Sequence, residues 1–144
     1  MKIITYLIAG TILTFCQVSC SKNNIPIGLR NTIKQIDKNL NDTVKYDFKI
    51  ASEEIAKSKH HFGLGLSIRN GKNLWKGGPL KLYYKLNGIK HPDDMSGIIL
   101  TTYHRQLNGK PINFKKQKQH YKEYWKVAKL GRDSLDKWLS LIHI

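Results

Sequence analysis

The chain has little cysteine and few acidic side chains. Its 144 residues include two cysteines, Cys16 and Cys20, and ten carboxylate side chains against 25 lysines and arginines. Both cysteines lie near the N-terminus, and cleavage of a signal before Cys20 would leave only that one. A disulfide within the folded domain and a thiol nucleophile in it are thereby excluded.

The sequence also lacks the common catalytic motifs. It contains no His-Glu-x-x-His zinc motif, no glycine-rich phosphate loop and no serine in a strand-turn-helix elbow. No segment predicts a strand with confidence. These absences favour a binding protein over an enzyme, and we expect neither a cofactor nor a bound metal.

Positive charge is what the chain has in excess. The net charge of +15 suits an anionic partner. Lysine outnumbers arginine 21 to 4, however, and an AT-rich genome produces the same bias. The lysine-rich segment 115–129 is predicted to be a solvated helix face, which could contact an anionic envelope surface or ligand. An exported protein rarely meets nucleic acid, so no nucleic-acid partner is expected.

Residues 1–19 are typical of an export signal. Lys2 precedes an apolar run, residues 3–15, that is too short to span a bilayer comfortably. The Ser-Cys pair ending at Cys20, followed by a polar tether over residues 20–28, resembles bacterial lipoprotein signals, particularly those of the Bacteroidetes. We therefore expect acylated Cys20 to anchor the protein to a bacterial membrane, on the periplasmic side or the cell surface. Ordinary secretion is the alternative.

The last six residues, 139–144, read LSLIHI. This peptide is what a transposon end used in sequencing-library preparation encodes, so we expect adapter read-through after Trp138. The alternative is a genuine apolar helix end, because Leu135, Trp138, Leu139 and Ile142 follow helical spacing.

Apolar spacing predicts an all-α fold, a compact bundle of five or six short helices in a single domain over residues 29–138. The first stripe is Leu29, Ile33, Ile36 and Leu40. Ser52 is a suitable N-cap for a second helix that carries Ile55 and Phe62 inward. Residues 60–70 alternate like a strand, but their two glycines would weaken one, so a helix is predicted there.

The clearest helix covers residues 92–107. Apolar residues lie on both of its sides, which predicts a central, buried helix. Pro79 is placed to begin the helix before it, and another helix is expected after Asn113.

Three segments resemble a known family: HHFGLGLSIRN, GIKHPDDMSGIILTTYHRQLNGKPI and YKEYW. Together they are similar to a small uncharacterised bacterial family, the domain of unknown function 6794. The resemblance covers about residues 48–125. It implies a compact helical domain with no established activity, and it therefore carries no catalytic residue over to this chain.

Polar side chains within the most apolar segments form the candidate binding or structural cluster: His61, Arg69, Asn70, His91, Asp93, Asp94, Ser96, Tyr103 and His104. The two aspartates and the serine follow Pro92, where a helix N-terminus needs acceptors, so they are predicted to cap it. A buried Arg69 needs a carboxylate, either Asp93 or Asp94. The alternative is an anion pocket in which Arg69 and His61 meet a ligand.

These patterns predict a lipid-anchored cell-envelope protein that acts as a binding or structural module. The alternative function is a metal-dependent hydrolase or another enzyme that uses the His/Asp/Arg cluster.

Overall fold

The computed structural model describes residues 25 to 142, and in that part of the chain every regular element is helical. The elements are α1 (Ile27–Asn39), α2 (Asp42–Ile50), α3 (Glu53–Lys59), a π-helical turn (His61–Gly65), α4 (Leu66–Gly71), α5 (Pro79–Leu86), α6 (Pro92–Leu107) and α7 (Phe114–Ile142). The all-α prediction is confirmed, although these residues contain seven α-helices where five or six were expected.

The additional helix is α2. The polar triplet at 41–43 is not a loop, because the Asn41 side chain accepts a hydrogen bond from the backbone N–H of Val44 at 2.8 Å. Asn41 therefore caps a new helix directly after α1, and Phe48 of that helix is fully buried.

The second predicted helix begins as expected and then departs from the prediction. The Ser52 hydroxyl accepts from the N–H of Ile55, which makes Ser52 the N-cap of α3. The inward placement of Ile55 and Phe62 is wrong, because their side chains are 58% and 81% exposed. The π-helical turn has a wider repeat than an α-helix, so spacing counted across it does not predict one buried face. The helical prediction for residues 60–70 is confirmed.

Helix α6 lies at the centre of the fold, with the bounds that the sequence predicts. Nearly every side chain from Asp94 to His104 is buried. Helices α1 to α5, the π-helical turn and the first half of α7 surround α6, most of them in direct contact with it. Six of the nine candidate residues lie at or near the N-terminal end of this helix.

The folded domain begins earlier than residue 29. Ile25 is part of the hydrophobic core and α1 starts at Ile27, so residues 25–28 do not belong to a free tether. The predicted signal, Cys20 and the last two residues of the tail lie outside the described residues. Among residues 25–142, no helix combines the length and the apolar character needed to cross a bilayer.

Candidate functional site

The centre of the cluster is an ion pair between α4 and α6. Arg69 is 3% exposed, and its Nη1 lies 3.0 Å from Oδ1 of Asp93. The same nitrogen donates to the Ser96 hydroxyl at 2.9 Å, and Nη2 donates to the backbone carbonyl of His61 at 3.3 Å. Of the two aspartates that the sequence proposed as partners, Asp93 is the one that pairs with Arg69.

Two histidines complete the surroundings of Asp93. Nε2 of His61 is 3.8 Å from Oδ1, and Nδ1 of His91 is 3.3 Å from Oδ2. The Ser96 hydroxyl donates to the backbone carbonyl of Asp93 at 2.9 Å. The anion-pocket interpretation is therefore not favoured, because both terminal nitrogens of Arg69 already donate to groups within the protein.

The cap of α6 differs from the predicted one. His91 is the N-cap residue, and its Nδ1 accepts a hydrogen bond from the N–H of Asp93 at 3.3 Å. Neither aspartate side chain makes a cap hydrogen bond, because each has a stronger side-chain partner. The predicted capping by Asp93, Asp94 and Ser96 is wrong in this respect, although both carboxylates still lie in the first turn, where the helix dipole favours negative charge.

Asp94 points toward α7 and away from Arg69. Its Oδ2 accepts a hydrogen bond from the indole N–H of Trp125 at 2.6 Å. Burial raises the pKa of the Asp94 carboxyl, and the hydrogen bond from Trp125 offsets only part of that effect. The contact between Asp94 and Trp125 was not predicted from the sequence.

A cleft of about 380 Å³ opens beside the two aspartates. His61, Phe62 and Tyr121 also line it. Burial raises the pKa of the Tyr121 hydroxyl, so this phenol stays protonated throughout the neutral range. Three candidate residues of the cluster, His61, Asp93 and Asp94, line this cleft together.

Two members of the predicted cluster lie elsewhere. Tyr103 is fully buried in the second half of α6 and donates to Oδ1 of Asp37 at 3.1 Å. His104 is also buried, and its Nε2 donates to the carbonyl of Ala51 at 2.9 Å. Both follow the cluster by about two turns along α6, so they join α6 to α1 and α2 and do not reach Asp93.

Asn70 is also separate from the site. Its side chain is exposed beside Arg69, and its carbonyl accepts from the N–H of Asn73 in the turn that follows α4. Asn70 therefore stabilises a turn next to the cluster.

A second arginine pair, which was not predicted from the sequence, joins α3 to α6. Nε and Nη2 of Arg105 donate to the two carboxylate oxygens of Glu53, both at 2.7 Å, and Nη1 donates to the carbonyl of Ile112 at 2.9 Å. The pKa of Glu53 is lowered, chiefly by the side-chain hydrogen bond from Arg105. The available signal was that Arg105 is one of only four arginines and ends a buried helix.

No group of three or more histidine, cysteine, aspartate or glutamate side chains in residues 25–142 is arranged to hold a metal ion.

Fold and site together define a small helical domain built around one buried helix, with an Arg–Asp ion pair at that helix's N-terminal end. Residues 25–107 match the model of a family described as Domain of unknown function (DUF6794). The match covers more than half of the chain, so the chain belongs to this family. The matched segment begins and ends earlier than the expected 48–125, and it leaves α7 outside. No curated protein and no solved structure matches the chain.

Proposed function

We propose that this protein is a lipid-anchored component of a bacterial cell envelope and that its helical domain is a binding module. The observation that carries the binding role is that both terminal nitrogens of Arg69 are engaged within the protein, by Asp93, Ser96 and the carbonyl of His61. A buried guanidinium with this set of partners stabilises the junction of α4 and α6. Recognition is then left to the exposed surface.

The anchor part of the proposal rests on the Ser-Cys pair at 19–20 after an apolar run. Two or three acyl chains on Cys20 would hold the domain firmly at a membrane.

The test is metabolic labelling with a fatty acid in a bacterial host. Wild type is expected to take up label and to sediment with membranes, and Cys20→Ser is expected to lose both properties. Cys16→Ser is the matched control, since it removes the other cysteine and should leave labelling intact. Membrane association of Cys20→Ser, together with an unlabelled wild type, would contradict the anchor.

One observation favours the second candidate, a metal-dependent hydrolase or another enzyme. Asp94, whose pKa is raised by burial, lies beside a cleft that His61 also lines. A zinc enzyme built there would bind about one zinc per chain, and zinc would raise its melting temperature. His61→Ala and Asp94→Asn would abolish that shift. The binding-module proposal expects zinc to leave the melting temperature of all three proteins unchanged.

A further inference from the structure

A groove of about 460 Å³ lies between α7 and the loop that joins α5 to α6. Helix α7 contributes Lys122, Trp125, Lys129 and Arg132, whose spacing of three, four and three places them on one face. Lys90 and His91 line the groove from the loop. This volume is within the range of roughly 300–1,000 Å³ that is usual for small-ligand sites.

The groove is strongly cationic. Four of its lining side chains are lysine or arginine, and no carboxylate lines it. Within residues 25–142, none of these four cations forms an ion pair. Like charges gathered in a concave site raise the local concentration of an anion, because the low-dielectric walls focus their field.

An aromatic surface is fixed next to these cations. The Trp125 indole is held by the hydrogen bond that its N–H donates to buried Asp94. The centroid of the indole ring lies 5.8 Å from that of the His91 ring. The Arg132 guanidinium lies over the same ring at 6.0 Å. Trp125 remains 38% exposed, so it offers a rigid apolar face to a bound molecule.

Glycine at position 88 makes this arrangement possible. Gly88 has φ of +81°, and a Cβ built there would lie 2.6 Å from Cε of Lys122. Any other residue would both strain the turn and displace the lysine stem that crosses it. The loop and α7 therefore pack closely against each other where Gly88 meets Lys122.

We propose that this groove binds the phosphate group of an anionic ligand, with Trp125 in contact with the part of the ligand next to the phosphate. A phosphate has several acceptor oxygens and more than one charge, which suits three lysines and an arginine converging from two elements. Both a soluble phosphate compound and a phospholipid headgroup provide this chemistry. The inference rests on the proposed binding role and names its ligand class.

The test uses the full-length chain carrying Cys20→Ser, which has no acyl chain. Inorganic phosphate is titrated at constant ionic strength while the tryptophan indole N–H signals are followed by NMR, with Trp125→Phe identifying the relevant signal. In a parallel arm, sedimentation is measured with phosphatidylcholine vesicles with and without phosphatidylglycerol. Saturable binding in the phosphate arm indicates a soluble ligand, and binding confined to the anionic vesicles indicates a headgroup; either result supports the site.

Matched charge variants separate the groove from the general positive charge. Lys122→Gln with Lys129→Gln is expected to weaken binding by about tenfold or more. Lys115→Gln with Lys126→Gln removes the same charge from exposed positions of α7 outside the groove, and it is expected to weaken binding by less than about twofold. Gly88→Ala, which displaces Lys122, is expected to weaken binding by an amount between those of the two charge pairs.

Equal weakening by the two charge pairs would overturn the proposal, as would the absence of saturable binding in both arms. Thermal melting of each variant establishes that it is folded. Because the fatty-acid labelling of Cys20 is measured separately, a failure of this inference is distinguishable from a failure of the anchor.

Discussion

At the scale of single residues, Gly97 determines how closely α7 approaches α6. A Cβ at this position would lie 2.2 Å from the hydroxyl and 3.2 Å from Cζ of Tyr121. Since Gly97 is in the middle of a buried helix, the absence of a side chain there admits the tyrosine ring at a cost in helix propensity of about 1 kcal/mol.

Gly97→Ala is therefore expected to destabilise the protein by about 1–3 kcal/mol, the usual cost of overpacking, despite the better helix propensity of alanine. Gly63→Ala is the control, because outside its chain neighbours and its own turn of helix no atom lies within 4 Å of the position where its Cβ would be. The control is expected to match wild type or exceed its stability by up to about 1 kcal/mol. Equal free energies of unfolding for the two variants in denaturant titrations would contradict the close contact.

Single residues also show what the sequence could predict about the site. That Arg69 needs a carboxylate follows from its apolar surroundings, and the structure supplies one. Which aspartate it would be could not be predicted, because neighbouring helical residues point about 100° apart and the rotation of α6 depends on its packing. Asp94 meets Trp125 only because α7 folds back across the start of α6, and that contact spans 31 residues.

At the scale of helices, the Glu53–Arg105 pair joins the start of α3 to the end of α6. The pKa of Glu53 is lowered in the folded protein from its ordinary value of 4.5. A carboxyl with a lowered folded-state pKa contributes stability that is fully present above the unfolded pKa and is lost as pH falls through the folded pKa. This contribution is therefore present at neutral pH and disappears in acid.

Glu53→Gln is expected to lower the free energy of unfolding at pH 7, and the difference from wild type should close as pH falls below the ordinary glutamate range. Glu54→Gln is the control, since it removes a carboxylate of the same turn that is 77% exposed and is paired with Lys57. Its free energy of unfolding should stay within about 0.5 kcal/mol of the wild-type value at each pH. The measurement is chemical denaturation across the acid range. A difference for Glu53→Gln that stays constant with pH would show that the ion pair is not its cause.

The helices were predicted correctly where apolar residues recur at regular helical spacing. They were predicted poorly where an N-cap or the π-helical turn interrupts that spacing. The bounds of α6 followed from Pro92 at its start and the Asn-Gly pair after its end. Helix α2 was missed because Asn41 is equally suited to a loop and to an N-cap, and only the following contacts of Phe48 distinguish the two. The Phe62 side chain is exposed because it lies in the π-helical turn, and no residue pattern in the sequence predicts such a turn.

At the scale of the whole molecule, the core does not extend along the full length of α7. The hydrophobic core and the side chains packed against it reach no further along the chain than Tyr121. Residues 129 to 141 are all exposed. Residues 139 to 141 of the tail thus contribute nothing to that core.

Deletion of residues 139–144 is expected to lower the melting temperature by less than about 4 °C, which corresponds to roughly 1 kcal/mol or less for a domain of this size. Differential scanning calorimetry of the full and shortened chains provides the comparison. A fall of more than about 8 °C would show that the tail is part of the fold.

The central claim is that the His/Asp/Arg cluster stabilises the fold and leaves recognition to the surface. Its most direct test is a double-mutant cycle on the global free energy of unfolding, with Arg69→Met, Asp93→Ala and the double variant. Asp93→Ala should cost about 3 kcal/mol or more, because it leaves a buried guanidinium without its counter-charge. Arg69→Met should cost less, about 1–3 kcal/mol, because the Asp93 side chain is 35% exposed and water can replace part of the lost interaction. The double variant should lose less than the sum by about 1–3 kcal/mol. Additive losses, or single variants as stable as wild type, would contradict the claim. Either result would favour the alternative in which the cluster is an enzyme's active site.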